Sequence, residues 1–131
     1  MPHDDHQRAD TRPTADDRKR LSHMLQSARD ARMIVGSDEA EMMAADMVRT
    51  RALVNCFTEI GEAAARLTPA GRAIVGQFPW RQIVGMRNIV VHVDWGIDLG
   101  ELVKSVRDDL PALSKALEVA LSAWPSDLDP D

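Results

Sequence analysis

Apolar residues recur at three- and four-residue steps along most of this chain, which is the period of an amphipathic helix. The first run predicts a helix that begins after Thr14 and continues to about Val35, where Gly36 ends it. A second stripe runs from Leu53 to Leu67 in steps of 4, 3, 4 and 3 residues. It predicts a long helix with one buried side, and we expect the methionines near its start to fill the core.

Capping residues and prolines mark the later elements. Thr68-Pro69 is typical of an N-cap followed by a proline in the first helical turn, so a short helix is expected through the mid-seventies. Asp98 and Glu101 have the spacing of a capping box and predict the start of another helix. Pro111 has no N–H to donate, so that helix must bend or restart there before a last amphipathic run.

The stretch from Trp80 to Val93 has a mixed pattern. Its second half contains four β-branched residues, which suit a strand. Apolar and polar residues do not alternate there, however, and the chain offers no second candidate strand for pairing. We therefore predict a helix over this stretch.

These elements predict an all-α antiparallel bundle of four or five helices that occupies residues 14–124 as one domain. Residues 1–13 are polar and residues 125–131 combine two prolines with acidic groups, so both tails are predicted to be disordered. Neither a membrane span nor a signal peptide is indicated, and we expect a cytoplasmic protein. Cys56 is the single cysteine and is predicted to be a small buried hydrophobe.

Charge is distributed unevenly along the chain. The formal net charge is −5, which argues against a general nucleic-acid binder. Between Glu62 and Asp94, however, four arginines and no acidic residue occur, so this window carries +4 and the remainder −9. One face is thus able to attract an anion, although arginines that only solvate helix surfaces would give the same composition.

A polar trio interrupts the most apolar part of this window. Arg87, Asn88 and His92 lie in Met86-Arg-Asn-Ile-Val-Val-His-Val93. On a continuous helix, Asn88 and His92 would be offset by about 40° and Arg87 and His92 by about 140°. Arginine suits phosphate binding and histidine suits proton transfer near neutral pH, so the trio is a candidate catalytic site. A satisfied structural network is the alternative that the residues alone leave open.

Other signals of enzymatic chemistry are weak. The chain has no P-loop, no Gly-x-Ser-x-Gly elbow and no spaced Cys/His cluster, and His23 is expected to face water. His3 and His6 share the first tail without carboxylate or thiol neighbours that would suggest a metal site. We therefore expect neither a metal nor a cofactor.

A block of motifs resembles the HepT-like toxins of the HEPN superfamily. Its segments are Ile60-Gly-Glu-Ala-Ala64, Phe78-Pro-Trp80, Ile83 to His92, Gly96-Ile-Asp98 and Asp109-Leu-Pro-Ala-Leu113. The most specific part is Arg-x4-His with Asn directly after the arginine. The similarity spans about residues 47 to 117 and implies a HEPN-type helical homodimer that cleaves RNA without a metal.

The resemblance also implies roles for individual residues. Arg87 would stabilise the phosphate in flight and His92 would assist attack by the ribose 2′-hydroxyl. Asn88 and Asp94 are supporting candidates on the chemistry of the residues themselves, since the resemblance does not extend to Asp94. Arg72 and Arg81 are the further candidates for RNA contacts. Such a site would be shared between both protomers of the dimer.

Family members are usually paired with a nucleotidyltransferase-like antitoxin, which in some systems adenylylates a tyrosine two residues after the histidine. Here that position is Asp94 and the chain contains no tyrosine. Asp94 would raise the pKa of His92 or repel RNA phosphates, or it would have no catalytic role and would only end a helix near Trp95-Gly96 as a polar residue. The alternative function is a non-catalytic HEPN dimer that docks a nucleotidyltransferase partner.

Overall fold

The structure is a computed structural model that describes residues 12–89 and 99–125 of the chain. These residues form helices joined by short turns and contain no strand. The helices are α1 (Ala15–Val35), α2 (Ala40–Ala44), α3 (Met47–Ala65), α4 (Pro69–Val75), α5 (Trp80–Gly85), α6 (Leu99–Asp108) and α7 (Leu110–Ser122). A 3₁₀ turn, Met86–Asn88, continues α5.

Four helices of ten or more residues build the bundle. The helix α1 packs along α3 in the antiparallel sense, and α6 and α7 cover α1 from another side. The predicted apolar stripes of α1 and α3 form the core, where Leu21, Leu25, Leu53, Phe57 and Ile60 are buried. The all-α bundle predicted from the periodicity is confirmed.

Local signals placed most helix ends correctly. Thr14 caps α1, and Gly36 follows its last residue with φ 55°, a left-handed conformation that favours glycine. Thr68 caps α4, which has Pro69 in its first turn. The helix restarts as predicted at Pro111, which lies in the first turn of α7. Asp98, the first residue of the predicted capping box, lies outside the described residues.

The link between α1 and α3 departs from the prediction. It contains the short helix α2, whose Met43 is fully buried. Met42 and Met47 are instead exposed, by 60% and 41% respectively, so the expectation that the methionines near this helix fill the core is right only for Met43. Periodicity is not informative over five residues, because one turn of helix shows too little of its pattern.

A buried carboxylate ties the first helix to the fourth. Asp17 of α1 accepts hydrogen bonds from the backbone nitrogen of Thr14 at 2.9 Å, the backbone nitrogen of Thr68 at 2.9 Å and the Thr68 hydroxyl at 2.6 Å. The same hydroxyl accepts from the backbone nitrogen of Gly71 at 3.1 Å. A Cβ on Gly71 would lie 2.6 Å from Cγ of Asp17, so this glycine permits the contact. The start of α4 is therefore fixed against the start of α1.

The segment after Trp80 is only partly the helix that was predicted. It is helical to Asn88, but Ile89 is extended, with φ −70° and ψ 119°. The prediction of an unbroken helix through Ile89 is therefore wrong. Ile89 is the first of three consecutive β-branched residues, and such restricted side chains disfavour helix. Residues 90–98 lie outside the described residues.

Two smaller expectations are confirmed. His23 is exposed on α1, and Cys56 is buried in the core face of α3. The predicted tails lie almost wholly in residues 1–11 and 126–131, outside the described residues. Across residues 12–89 and 99–125, we find no helix with both the length and the apolarity that a membrane crossing requires.

Candidate active site

Arg87 lies on the 3₁₀ turn, which rests directly on helix α3. Ile83, one turn earlier, is buried in the core, and Val84, Met86 and Ile89 pack partly against it. These apolar anchors on both sides of Arg87 fix the backbone that carries it. The side chain of Arg87 itself is exposed.

Gly61 of α3 makes this close packing possible. A Cβ at Gly61 would lie 2.3 Å from the backbone nitrogen of Arg87, 2.9 Å from its Cβ and 2.9 Å from the carbonyl oxygen of Val84. Contacts below 3.0 Å are essentially never seen for real Cβ atoms, so any other residue at 61 would push the two segments apart. Gly61 therefore sets the position of Arg87 relative to α3.

The guanidinium of Arg87 is available for a ligand. Within the described part of the chain, it makes no hydrogen bond and no ion pair, and the neighbouring Asn88 is exposed and equally unengaged. An arginine on a fixed backbone with a free fork of donors is suited to a phosphate group. The structural network that was the alternative for these two residues is not formed among the described residues.

His92 and Asp94, the other predicted site residues, lie outside the described residues. The predicted offset of about 140° between Arg87 and His92 applies only to a continuous helix. Because the helix ends before Ile89, that offset does not apply. Catalytic pairing of Arg87 with His92 thus stays a prediction.

The two predicted RNA-contacting arginines have different environments. Arg81 is exposed on α5, with no side-chain partner in the described ranges. Arg72 is half-buried: its Nη2 donates to the carbonyl oxygen of Ala64 at 3.1 Å, and its guanidinium lies over the Trp80 ring at 5.7 Å from the centroid. Arg81 is therefore free to meet an anion, whereas Arg72 is held in place by α3 and Trp80.

The charge asymmetry of the sequence persists in space, with one qualification. Helices α4 and α5 carry only basic charged side chains. Glu59 and Glu62, however, lie on α3 close to Gly61 in the chain and line a cavity of about 260 Å³ with Arg20, His23 and Arg66. This cavity lies between α1 and α3, and Glu59 also accepts a hydrogen bond from the Ser27 hydroxyl of α1.

An open groove lies where α4 meets α5. Its volume is about 740 Å³, and its walls include Arg72, Gln77, Phe78 and Trp80. Phe78-Pro-Trp80 is one of the segments that carry the resemblance, and no role was predicted for it. An aromatic pair beside an arginine was a usable signal, because such pairs often contact nucleobases.

Gly61 was also missed as a site residue. An isolated glycine inside an amphipathic helical pattern often marks a close approach of another backbone. That signal was present in Ile60-Gly-Glu, but it did not say which segment approaches.

Comparison with known proteins agrees with this architecture. The family model described as "Ribonuclease HepT-like" matches residues 24–120. A Methanocaldococcus jannaschii protein named "Putative RNase" is 33% identical over 100 residues, which cover 76% of this chain and 91% of the relative. A Caldanaerobacter subterraneus subsp. tengcongensis protein of the same name is 30% identical over 101 residues, or 77% of this chain and 90% of the relative.

A third relative carries the family name itself. "Probable ribonuclease HepT" of Thermococcus cleftensis is 30% identical over 67 residues, which cover 51% of this chain and 61% of that protein. No solved structure gave a significant match. The family match over most of the chain and the helical architecture agree, so the chain belongs to the HepT-like ribonuclease family and has an all-α fold of the HEPN type.

Proposed function

We propose that this protein is the ribonuclease of a toxin–antitoxin pair and that it cleaves RNA without a metal, at a site built from Arg87 and His92 of two protomers. The observation that carries the proposal is the exposed, unengaged guanidinium of Arg87 on a backbone fixed over Gly61. Membership of a ribonuclease family supports the reaction class.

The proposed role of Arg87 is electrostatic. When the 2′-oxygen attacks phosphorus, negative charge increases on the non-bridging oxygens of the phosphate. A guanidinium donates two parallel hydrogen bonds to such oxygens and keeps its charge at any physiological pH. The fixed backbone reduces the reorganisation needed to reach this geometry.

The proposed role of His92 is proton transfer. The imidazole takes the proton of the 2′-hydroxyl while the bond from the 2′-oxygen to phosphorus forms. The bond from phosphorus to the 5′-oxygen then breaks, and the imidazolium returns the proton to that leaving oxygen. The products are a 2′,3′-cyclic phosphate and a 5′-hydroxyl, and the step consumes no water.

Asn88 and Asp94 are proposed to support these two groups, and Arg81 to contact the RNA backbone. Asn88 is exposed immediately after Arg87, where its amide can orient either the phosphate or the arginine. A second protomer would double the number of guanidinium groups around the cleft, and thereby raise the attraction for an RNA strand.

Restraint of the toxin is proposed to occur by occlusion. The chain has no tyrosine, so an antitoxin of the nucleotidyltransferase type has no tyrosine to modify. We propose that such an antitoxin covers the cleft in the cytoplasm. A complex that leaves His92 accessible to solvent would refute this part of the proposal.

The test uses purified protein and total RNA in the presence of EDTA, beside Arg87→Ala and His92→Ala. Cleavage by the wild type should survive the chelator, and its fragments should end in a cyclic phosphate. Both variants should stay folded and lose cleavage by about 10²-fold or more, because each removes a group that acts on the reacting phosphate.

Two results would contradict the proposal. Cleavage abolished by EDTA and restored by a divalent cation would refute metal independence. A dimeric wild type that cleaves none of the RNAs, but binds a nucleotidyltransferase partner, would instead support the non-catalytic docking module.

A further inference from the structure

The groove between α4 and α5 is a second place on the molecule with the chemistry of a binding site. We call it the Trp80 groove, and its walls are formed by Leu67, Pro69, Arg72, Ala73, Gly76, Gln77, Phe78 and Trp80. Its volume of about 740 Å³ is within the range of about 300–1,000 Å³ that is usual for small-ligand pockets.

The aromatic walls of the groove are held in defined positions. Nε1 of Trp80 donates to the carbonyl oxygen of Gly76 at 3.3 Å. The rings of Phe78 and Trp80 are 6.2 Å apart at an interplanar angle of 65°, which is a favourable edge-to-face arrangement. The indole is therefore a preorganised surface and not a freely rotating side chain.

Arg72 adds a second planar group to the same groove. Its guanidinium is positioned by Trp80 on one side and by the carbonyl oxygen of Ala64 on the other. Its Nε is enclosed and has no hydrogen-bond partner among the described residues, which leaves one donor unsatisfied in the wall. Because Nε is enclosed, a ligand would reach the arginine through the face and the outer nitrogens of its guanidinium and not through this atom.

These features select one class of ligand. Unpaired nucleobases are flat, they stack on aromatic rings and on guanidinium planes, and their edges carry hydrogen-bond acceptors. No acidic residue is among the walls, so a negatively charged backbone is not repelled there. A hydrophobic peptide segment would not use the planar arginine.

The groove is also close to the proposed catalytic arginine. Trp80 begins α5, and the 3₁₀ turn with Arg87 continues the same helical stretch. Seven residues of helix place the two positions on the same side of that stretch and about 11 Å apart along its axis. Arg81 is exposed between them in the chain.

From these observations we infer that the Trp80 groove binds one unpaired nucleobase of the RNA substrate, stacked against Trp80 and Arg72, next to the phosphate held by Arg87. This inference rests on the proposed ribonuclease function. It makes the substrate a single-stranded or looped RNA, because a base inside a duplex cannot enter the groove.

The test measures binding with the full chain and with RNA that stays intact. The probe is a short single-stranded oligonucleotide with 2′-O-methyl groups, which lacks the attacking hydroxyl, together with a series in which one nucleotide at a time is abasic. Binding is measured by fluorescence anisotropy for the wild type, Trp80→Leu, Trp80→Phe and Arg72→Lys. Trp124→Leu is the matched control, since Trp124 is half-buried and outside the groove wall.

The wild type should lose about fivefold or more in affinity when one particular position is abasic, which is the lower end of what a stacked base contributes. That penalty should disappear in Trp80→Leu, shrink in Arg72→Lys and persist in Trp80→Phe and Trp124→Leu. Melting temperatures identify any unfolded variant, and Arg72→Lys decides the matter if Trp80→Leu does not fold.

Three results would overturn the inference: no binding, equal affinity for every abasic probe, or a penalty that is unchanged in Arg72→Lys and in Trp80→Leu where that variant folds. Cleavage of ordinary RNA is assayed in parallel and separates the two proposals. A wild type that cleaves but shows no positional penalty refutes the groove alone. A wild type that shows the penalty but does not cleave refutes the ribonuclease site alone.

Discussion

The two ends of helix α3 lie beside arginines in opposite situations. Near its first residues, Arg49 bonds Asp38 at 2.8 Å through Nη1 and the carbonyl oxygen of Ile34 through Nη2. Near its last residues, Gly61 supports Arg87, whose guanidinium has no partner among the described residues. One arginine thus joins elements of the bundle, and the other is held by its backbone while its side chain stays free.

The difference shows how to separate structural from functional arginines in this fold. A structural arginine bonds another element of the chain, as Arg107 also does when Nη2 donates to the carbonyl oxygen of Asp38 at 2.5 Å. A functional candidate combines a rigid backbone with unsatisfied donors. Residue type and local charge alone do not distinguish the two.

The largest expected effect comes from removing the arginine whose guanidinium has no partner. Arg87→Ala should lower kcat by about 10²- to 10³-fold, because a donor to the developing phosphate charge is lost. Its melting temperature should stay close to that of the wild type, since an exposed side chain without partners contributes little to stability. Steady-state cleavage and thermal melting measure the two quantities.

Arg49→Ala is the matched control and should behave in the opposite way. It removes the bonds to Asp38 and Ile34, so the free energy of unfolding should fall by about 1–2 kcal/mol while cleavage by the folded fraction is retained. If Arg49→Ala abolished cleavage and Arg87→Ala did not, the distinction between the two ends would be wrong.

The next largest effect concerns the carboxylate that fixes α4 beyond the end of α3. Asp17→Ala should lower the free energy of unfolding by about 3 kcal/mol, because it leaves the Thr14 and Thr68 donors without an acceptor. Chemical denaturation measures the change.

Asp16→Ala provides the control for Asp17. The Asp16 side chain is 72% exposed and is 4.0 Å from Arg20, so its removal should change the free energy of unfolding by less than about 0.5 kcal/mol. Equal effects of the two substitutions would contradict the structural role of Asp17.

A smaller effect on stability, with a larger one on activity, is expected at Gly61. Gly61→Ala should cost about 1–3 kcal/mol, because its Cβ would overlap the backbone of Arg87 and the segments must separate. Cleavage should fall as well, since the shift moves the guanidinium. Denaturation and cleavage assays of the same preparation show both changes.

Gly85→Ala tests whether substituting any glycine near the site would lower stability and cleavage as Gly61→Ala should. A Cβ at Gly85 meets no atom within 4 Å, and the position is the last of α5. Alanine there should leave stability equal or raise it by up to about 1 kcal/mol, because it restricts the unfolded chain. Loss of cleavage in Gly85→Ala but not in Gly61→Ala would contradict the argument from close packing.

The effect that is smallest at neutral pH lies at the middle of α3. Burial, and then the carboxylates of Asp30 and Glu59, raise the pKa of the Cys56 thiol from its ordinary 9.0 to about 11. The folded state therefore disfavours the thiolate, and the stability gained from the neutral thiol is present below pH 9 and is lost as pH rises towards 11. The free energy of unfolding of wild type should decline over this interval relative to Cys56→Ala.

Thiol reactivity gives a second measure of the same property. At pH 8, maleimide should react much more slowly with the folded than with the unfolded protein, because the attacking species is the thiolate. Equal rates in both states would show that the Cys56 thiol is not buried and that its pKa is not raised.

Much of the fold could be predicted from the sequence. Thr14, Gly36, Thr68 and Pro111 act through their own backbone and the next turn, so their signals are local and the helix ends they predict agree with the structure. The apolar stripes likewise predict the buried faces, because burial follows the helical period.

The sequence was less informative where a choice depended on distant neighbours. The end of the helix at Ile89 was not predicted, because the lack of a second candidate strand was given more weight than the β-branched residues. The exposure of Met42 and Met47 was missed because an apolar residue in a short link carries no period. For the site, the sequence identified Arg87 and Asn88 as candidates but not the glycine beneath them.

By itself, then, the sequence determined the helices, their caps, the uneven charge and the motifs that indicate a HepT-like protein, since all of these depend on residues close together in the chain. Tertiary structure alone decided which arginines are satisfied, how Asp17 joins two helix starts, and that Arg87 rests on Gly61. These contacts join different elements of the chain, across 11 positions for Arg49 and Asp38, 26 for Arg87 and Gly61 and 51 for Asp17 and Thr68, and the packing of whole helices sets such distances.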